Sequence, residues 1–106
     1  MNTKTIQIAK DFSAFPAGRY RSDGNNSGQV FREDFLVPAL QGYEQVIVNL
    51  DGTIGLGSSF LEEAFGGLVR ECPFSLEQLR KKLKIQSSLE SYADEIWDYI
   101  SQAKRL

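Results

Sequence analysis

Val46–Val69, VIVNLDGTIGLGSSFLEEAFGGLV, is the stretch whose reading decides the fold. The β-branched run Gln45 to Leu50 lies between Gly42 and Gly52 and reads as a central strand covered on both faces. Glycines 52, 55 and 57 then turn the chain, and Ser58 or Ser59 opens a helix. Ser59 with Glu62 matches a capping box. Leu61, Ala64, Phe65 and Leu68 recur at helical spacing as its buried stripe. A strand feeding a glycine turn and then a helix presents hydroxyls and unpaired N–H groups at one edge of a sheet. Gly66 and Gly67 interrupt the stripe at about 1 kcal/mol each relative to alanine. Such a pair is expected where another backbone approaches, either from this domain or from a docked partner.

Working outward, Thr3 to Ala9 alternates weakly and predicts a first strand. Arg19-Tyr20-Arg21 reads as a short second strand forming a hairpin with it, followed by the loop Asp23 to Gly28. A helix starts near Asn26 or Ser27, carries Val30, Phe31, Phe35 and Leu36 inward, and bends or stops at Pro38. Towards the C-terminus, Ser75 and Gln78 make another capping box, with Phe74 and Leu79 placed as a staple. Lys84 to Gln86 is a brief strand. Ser87 and Glu90 cap a last helix with Leu89, Tyr92, Ala93, Ile96, Ile100 and Ala103 inward. Its acids Glu90, Asp94 and Glu95 come early and Lys104 and Arg105 late, which suits the helix dipole. This order predicts one α/β domain over residues 1–106, a sandwich with a small, mostly parallel sheet of about four strands.

Composition narrows the function. A net charge of −2 gives no electrostatic footprint for nucleic acid or for an anionic membrane. No apolar run approaches the length of a membrane span, and the N-terminus lacks a secretory apolar region, so a cytoplasmic protein is expected. The chain has no histidine, which excludes Ser-His-Asp and Cys-His catalysis and removes the commonest metal ligand. With Cys72 as the one cysteine, neither an internal disulfide nor a structural zinc site is possible. No cofactor, no metal and no enzymatic activity are expected.

Gly18-Arg19-Tyr20, Asp23-Gly24, Ser27-Gly28, Phe31-Arg32, Leu50-Asp51-Gly52 and the block Gly57 to Leu68 together resemble the STAS domain, named for sulphate transporters and anti-sigma factor antagonists. More narrowly, they resemble a bacterial STAS-like family of small proteins, over about residues 4 to 103. The resemblance implies a non-enzymatic interaction module in signalling. Anti-sigma factor antagonists carry an Asp-Ser-Ser-Gly-like motif after the central strand, and its first serine is phosphorylated by a partner with a histidine-kinase-type ATPase fold. Ser58 and Ser59 occupy the matching place, with Gly57 standing where the acid would be and Phe60 where the glycine would be. The resemblance therefore implies phosphorylation at Ser58 or Ser59 and an ATPase partner docked on the Ser58–Gly67 helix and its preceding loop, with Asp51, Gly57, Phe60, Glu63, Gly66 and Gly67 as partner- or anion-binding residues.

Each of these residues also has a plainer role. Ser58 and Ser59 are common helix-capping residues, worth about 1 kcal/mol. Glu62 and Glu63 would repel a phosphate in the same first turn, unless Arg19 or Arg21 lies close enough to offset them. Asp51 is placed to accept hydrogen bonds from turn amides. Residues 52–59 fit no nucleotide loop, because Ser58 replaces the lysine of a phosphate-binding loop and Phe60 the third glycine of a dinucleotide motif. The alternative to an interaction module is a small anion- or nucleotide-binding domain on the same sheet edge, with Arg19, Arg21 and the helix N-termini as contacts.

Overall fold

The computed structural model describes residues 2–104. Three parallel strands form one sheet in the order β1 (Thr3–Gln7), β2 (Gln45–Asn49), β3 (Leu83–Gln86). Ile6 stands beside Val48, and Val48 beside Ile85. Gly28–Phe31, Arg32–Leu36 and Val37–Gly42 follow one another without a break as a single helix, α1. Ser58–Leu61, Glu62–Gly66 and Gly67–Arg70 do the same as α2. Leu76–Lys82 is α3 and Glu90–Gln102 is α4.

The class is the expected α/β, but the strand count among the described residues is three rather than about four. Arg19-Tyr20-Arg21 does not form a strand or a hairpin. The Asp23 carboxylate accepts the backbone N–H groups of Arg19 (3.2 Å) and Tyr20 (2.8 Å), which winds residues 21–23 into a tight turn. β1 also ends two residues early, where Ile8–Phe12 coils into one wide turn.

The buried side chains of the strands fall on one face: Ile6, Val46, Val48 and Leu83. The helices cover that face. Gln45, Ile47 and Asn49 on the other face are only half-buried, and their neighbours Thr3, Thr5, Gln7 and Lys84 are exposed. Thus β2 is covered on one face, not both. Its apolar run contains a hidden alternation, with Gln45 and Asn49 on the open side.

Pro38 does not end α1. Ahead of it the helix widens by one residue, and Val37 N–H donates to the Arg32 carbonyl five positions back. A widened turn re-phases the ladder around a residue that has no N–H. The same widening occurs in α2, where Gly67 N–H donates to the Glu62 carbonyl. The core is centred on aromatic rings: Phe31 lies 5.2 Å from Phe12, 6.0 Å from Phe60 and 6.2 Å from Phe65 between centroids. Gly28 lets α1 cross α2 closely, since a Cβ there would lie 2.5 Å from the Phe60 carbonyl oxygen and 3.1 Å from Ala64 N.

Other local expectations divide by range. Ser75 caps α3 through a two-way box with Gln78, and Phe74 and Leu79 are both buried. Ser87 instead caps a turn, accepting Leu89 N–H, so α4 starts at Glu90 without a side-chain cap. Leu89 is exposed rather than inward, while Ile96 and Ile100 are buried as expected. Lys104 follows the end of α4, and Arg105 lies outside the described residues.

Candidate functional site

Parallel strands bring the loops that follow them to one edge of the sheet. The loop after β2 is fixed there from several sides. Asp51 N–H donates to the Asn49 side chain (2.8 Å), and Thr53 Oγ1 donates to the Leu50 carbonyl (2.7 Å). Gly52 and Gly55 turn the chain with φ of 90° and 73°, values that glycine adopts without strain. Ile54 N–H donates to the Ala14 carbonyl (2.8 Å), tying in the loop after β1. The Asp51 carboxylate accepts Ser88 N–H (2.8 Å) and Ser88 Oγ–H (2.9 Å), tying in the loop after β3. Asp51 therefore accepts an amide as expected, but from another loop.

This frame holds the start of α2. Ser58 and Ser59 are exposed in its first turn. Gly57 is the capping position, and no side chain caps the helix. The capping box expected from Ser59 and Glu62 does not form. The helix starts two residues earlier than that box requires, and the Glu62 carboxylate is held by Arg19 and Arg70. Leu61 N–H is the first to close an intrahelical bond, to the Gly57 carbonyl (3.1 Å). The two hydroxyls and the amides before Leu61 face a cleft of about 330 Å³ lined by Pro16, Gly18, Gly55 and Gly57. Tyr99 on α4 reaches the same turn. Its hydroxyl donates to Glu95 (2.6 Å), which with burial raises its pKa, and a hydrogen bond with Ser58 acts the other way.

One turn into α2 lies a network of five charges. Arg19 contacts Glu62 (2.5 Å) and Glu63 (3.3 Å), and Arg70 contacts Glu62 (2.7 Å) and Glu63 (3.3 Å). Arg32 reaches across from α1 to the Glu63 carboxylate (2.7 Å) and carbonyl (2.5 Å). The Arg32 and Glu63 side chains are only 3% and 5% exposed. Arg32 Nε is buried with no hydrogen-bond partner among the described residues. Burial works to raise the Glu62 carboxyl, but hydrogen bonds from Arg70 and Arg19 together outweigh it and hold the group below its usual range. Both Arg32 and Glu63 stand in the widened turns of their helices, Arg32–Leu36 and Glu62–Gly66.

The network accounts for the glycine pair. A Cβ on Gly67 would collide with the Arg32 guanidinium, and one on Gly66 would lie 2.6 Å from Glu62 Oε2 and 3.4 Å from the Tyr99 carbonyl. The close approach is internal, from a side chain as well as a helix backbone. Phe60, Glu63, Gly66 and Gly67 are all buried, so the face of α2 expected to meet a partner faces the core instead. Arg19 comes to the site. Arg21 does not: it contacts Glu33 and Asp34 on the outer side of α1, each at 2.9 Å. Arg32 and Arg70, which complete the network, have no sequence signal for it beyond the Phe31-Arg32 pair within the resemblance. Cys72 packs against the core, and burial raises its pKa, as fits an inert thiol.

Among the described residues no cluster of three or more Cys, Asp or Glu side chains could hold a metal. None of the described helices is long and apolar enough to cross a membrane. The family described as a STAS-like domain of unknown function matches residues 27–93, from the cap of α1 into the first turn of α4. The match is narrower than the resemblance over residues 4 to 103, but it includes β2, the glycine turn and all of α2. No curated protein matches the chain. No solved structure matches it either.

Proposed function

The chain belongs to this STAS-like family, and on that premise we propose that it is a non-enzymatic protein-interaction module, switched by phosphorylation at Ser58 or Ser59. The observation that carries this reading is that both hydroxyls are exposed at an uncapped helix start. A serine committed to capping would have its oxygen on a backbone N–H; neither of these does, and Ser58 has the Tyr99 hydroxyl beside it instead. A phosphate adds about −1.5 to −2 charges and is favoured at a helix N-terminus. Repulsion from Glu62 and Glu63 is reduced, because Arg19, Arg70 and Arg32 surround both carboxylates. Arg21 has no part in this offset.

The docking surface would be the loop edge around the serines, since the inner face of α2 is buried. Phe15, Ile54 and Leu89 are 62%, 63% and 58% exposed on the loops that converge there. Apolar side chains grouped on exposed loops beside a modifiable hydroxyl suit a protein partner better than a small ion. The partner class implied by the resemblance to anti-sigma factor antagonists is a histidine-kinase-type ATPase in a bacterial cytoplasm. Binding of a small anion or nucleotide at the same edge ranks second, because Arg19 and Arg21 are both engaged by carboxylates.

The test is to recover the tagged protein from its host and read intact mass and co-purifying chains together. A phosphate lost in Ser58→Ala/Ser59→Ala, with an ATPase partner lost in Ile54→Asp, supports the reading. An unmodified chain without a partner, whose amide resonances shift on titration with nucleotide, would favour the small-ligand alternative.

A further inference from the structure

The outer edge of β1 is open where a fourth strand was expected. Its backbone pattern follows from two hydrogen bonds. Gln45 N–H donates to the Asn2 carbonyl, and the residues that bond across a parallel ladder alternate along the strand. Lys4 and Ile6 therefore direct their amides to β2, while Thr3, Thr5 and Gln7 direct theirs outward. Gln7 N–H confirms the parity, because it donates to the Asp11 carboxylate (2.8 Å) and not to β2. Among the described residues nothing caps the Thr3 or Thr5 N–H in this way, and both residues are exposed. Beside this edge runs a groove of about 390 Å³ with an apolar floor of Ile6, Phe35, Pro38 and Ala39. Lys4, Asp11 and Asp34 also line it.

We propose that this edge pairs with the same edge of a second copy of the chain, antiparallel about a two-fold axis at Thr5, giving one continuous sheet across the dimer. An open row of N–H and C=O groups selects an extended strand as its occupant. The charges select a second copy. With Thr5 opposite Thr5, each Lys4 lies opposite Ile6 of the other copy, at the mouth of a groove containing Asp11 and Asp34. Lys4 has no ion pair among the described residues, and the acids that line the groove keep an open side for it: Asp11 holds Gln7 N–H through one oxygen, and Asp34 is shared with the exposed Arg21. This register also keeps the two lysines from facing each other, which would be repulsive. Thr5 exchanges both of its bonds with its mate, and Thr3 donates to the Gln7 carbonyl. The Asp11 cap on Gln7 N–H stops the ladder there, which fixes its length. A two-fold, self-complementary contact is the commonest way for identical chains to close.

The experiment is sedimentation-equilibrium analysis of the protein over a wide concentration range, with amide hydrogen exchange read at Thr3 and Thr5. The dimer requires those amides to become protected as concentration rises. Thr5→Pro removes only an outward N–H and leaves the β2 ladder whole, so circular dichroism and melting stay close to the parent. It should weaken dimerisation about thirtyfold, because the axis removes two backbone hydrogen bonds at once. Lys4→Glu changes no backbone group and should weaken dimerisation too, which keeps the test decisive if Thr5→Pro fails to fold. A chain that stays monomeric with Thr5 exchanging freely at every concentration overturns the proposal. So does a folded Thr5→Pro variant that dimerises as tightly as the parent. Protection of Thr5 only on addition of an unrelated extended peptide would assign the edge to a foreign strand and overturn the second copy.

Discussion

Arg19 and Arg21 are two residues apart and each bridges two carboxylates at hydrogen-bonding distance, yet they belong to different kinds of electrostatics. The Arg21 cluster with Glu33 and Asp34 is nearly half exposed throughout. The Arg19 cluster continues inward through Glu62, Arg70 and Glu63 to Arg32, and its inner pair is almost fully removed from water. Similar distances therefore describe dissimilar energies. Water screens the first cluster, so its net worth is small. The second holds charges that could not remain buried unless each answered another.

The most forceful way to test that difference is to delete one inner charge. Glu63→Ala leaves the buried Arg32 with only the half-exposed Glu33 carboxylate at 3.8 Å and should cost about 3–5 kcal/mol in urea unfolding. The double change Arg32→Met/Glu63→Leu removes both charges and should recover most of that loss. Equal destabilisation by the single and double variants would show that volume, not charge, governs the site.

Gly67→Ala probes the space around the same guanidinium. Alanine is the better helix former by about 1 kcal/mol. Here its Cβ would displace Arg32, so a net loss of about 1–3 kcal/mol is expected. A gain in stability would mean that the guanidinium can move aside without loss.

Acid separates the clusters more gently. The Glu62 carboxyl titrates lower in the folded chain than in the unfolded one. The unfolded state then binds more protons in that range, so this contribution is complete above the ordinary carboxylate pKa of about 4.3 and declines as pH falls below it. Glu33 has the same sign, through hydrogen bonds from Arg21 and then Gln29, but it is exposed. Urea midpoints at neutral and acid pH should therefore show an acid loss that high salt only partly removes. Arg19→Met should shrink that loss. The smallest effect is expected from Arg21→Ala, which should leave the melting temperature almost unchanged.

The two clusters also show where sequence stops being informative. Arg19, Arg21, Glu62 and Glu63 are all plain in the chain, but their pairing spans more than forty residues in one case and about a dozen in the other. No local pattern assigns Arg19 to Glu62 and Arg21 to Asp34. The Ser58–Ser59 edge was legible as a place, because strand, glycine turn and helix follow one another directly. That its serines do not cap the helix was not legible, since Glu62 is drawn away by Arg19 from a distant segment and by Arg70 two turns along the same helix.

The sequence alone determined the α/β class, the strand at Gln45–Asn49, the box that starts α3, and the apolar stripes of α2 and α4. These depend on periodicity and caps within a few residues, which the chain states locally. Only the tertiary structure decided that the sheet has three strands, that one of its faces is open, that α1 passes Pro38, and that Phe60, Glu63 and the glycine pair face inward. The inward face of α2 depends on distant groups coming together, above all the buried Arg32–Glu63 pair, which no short window of sequence contains. The Asp23 turn and the widening before Pro38 are local, but they rest on single hydrogen bonds that leave no periodic signal in the chain.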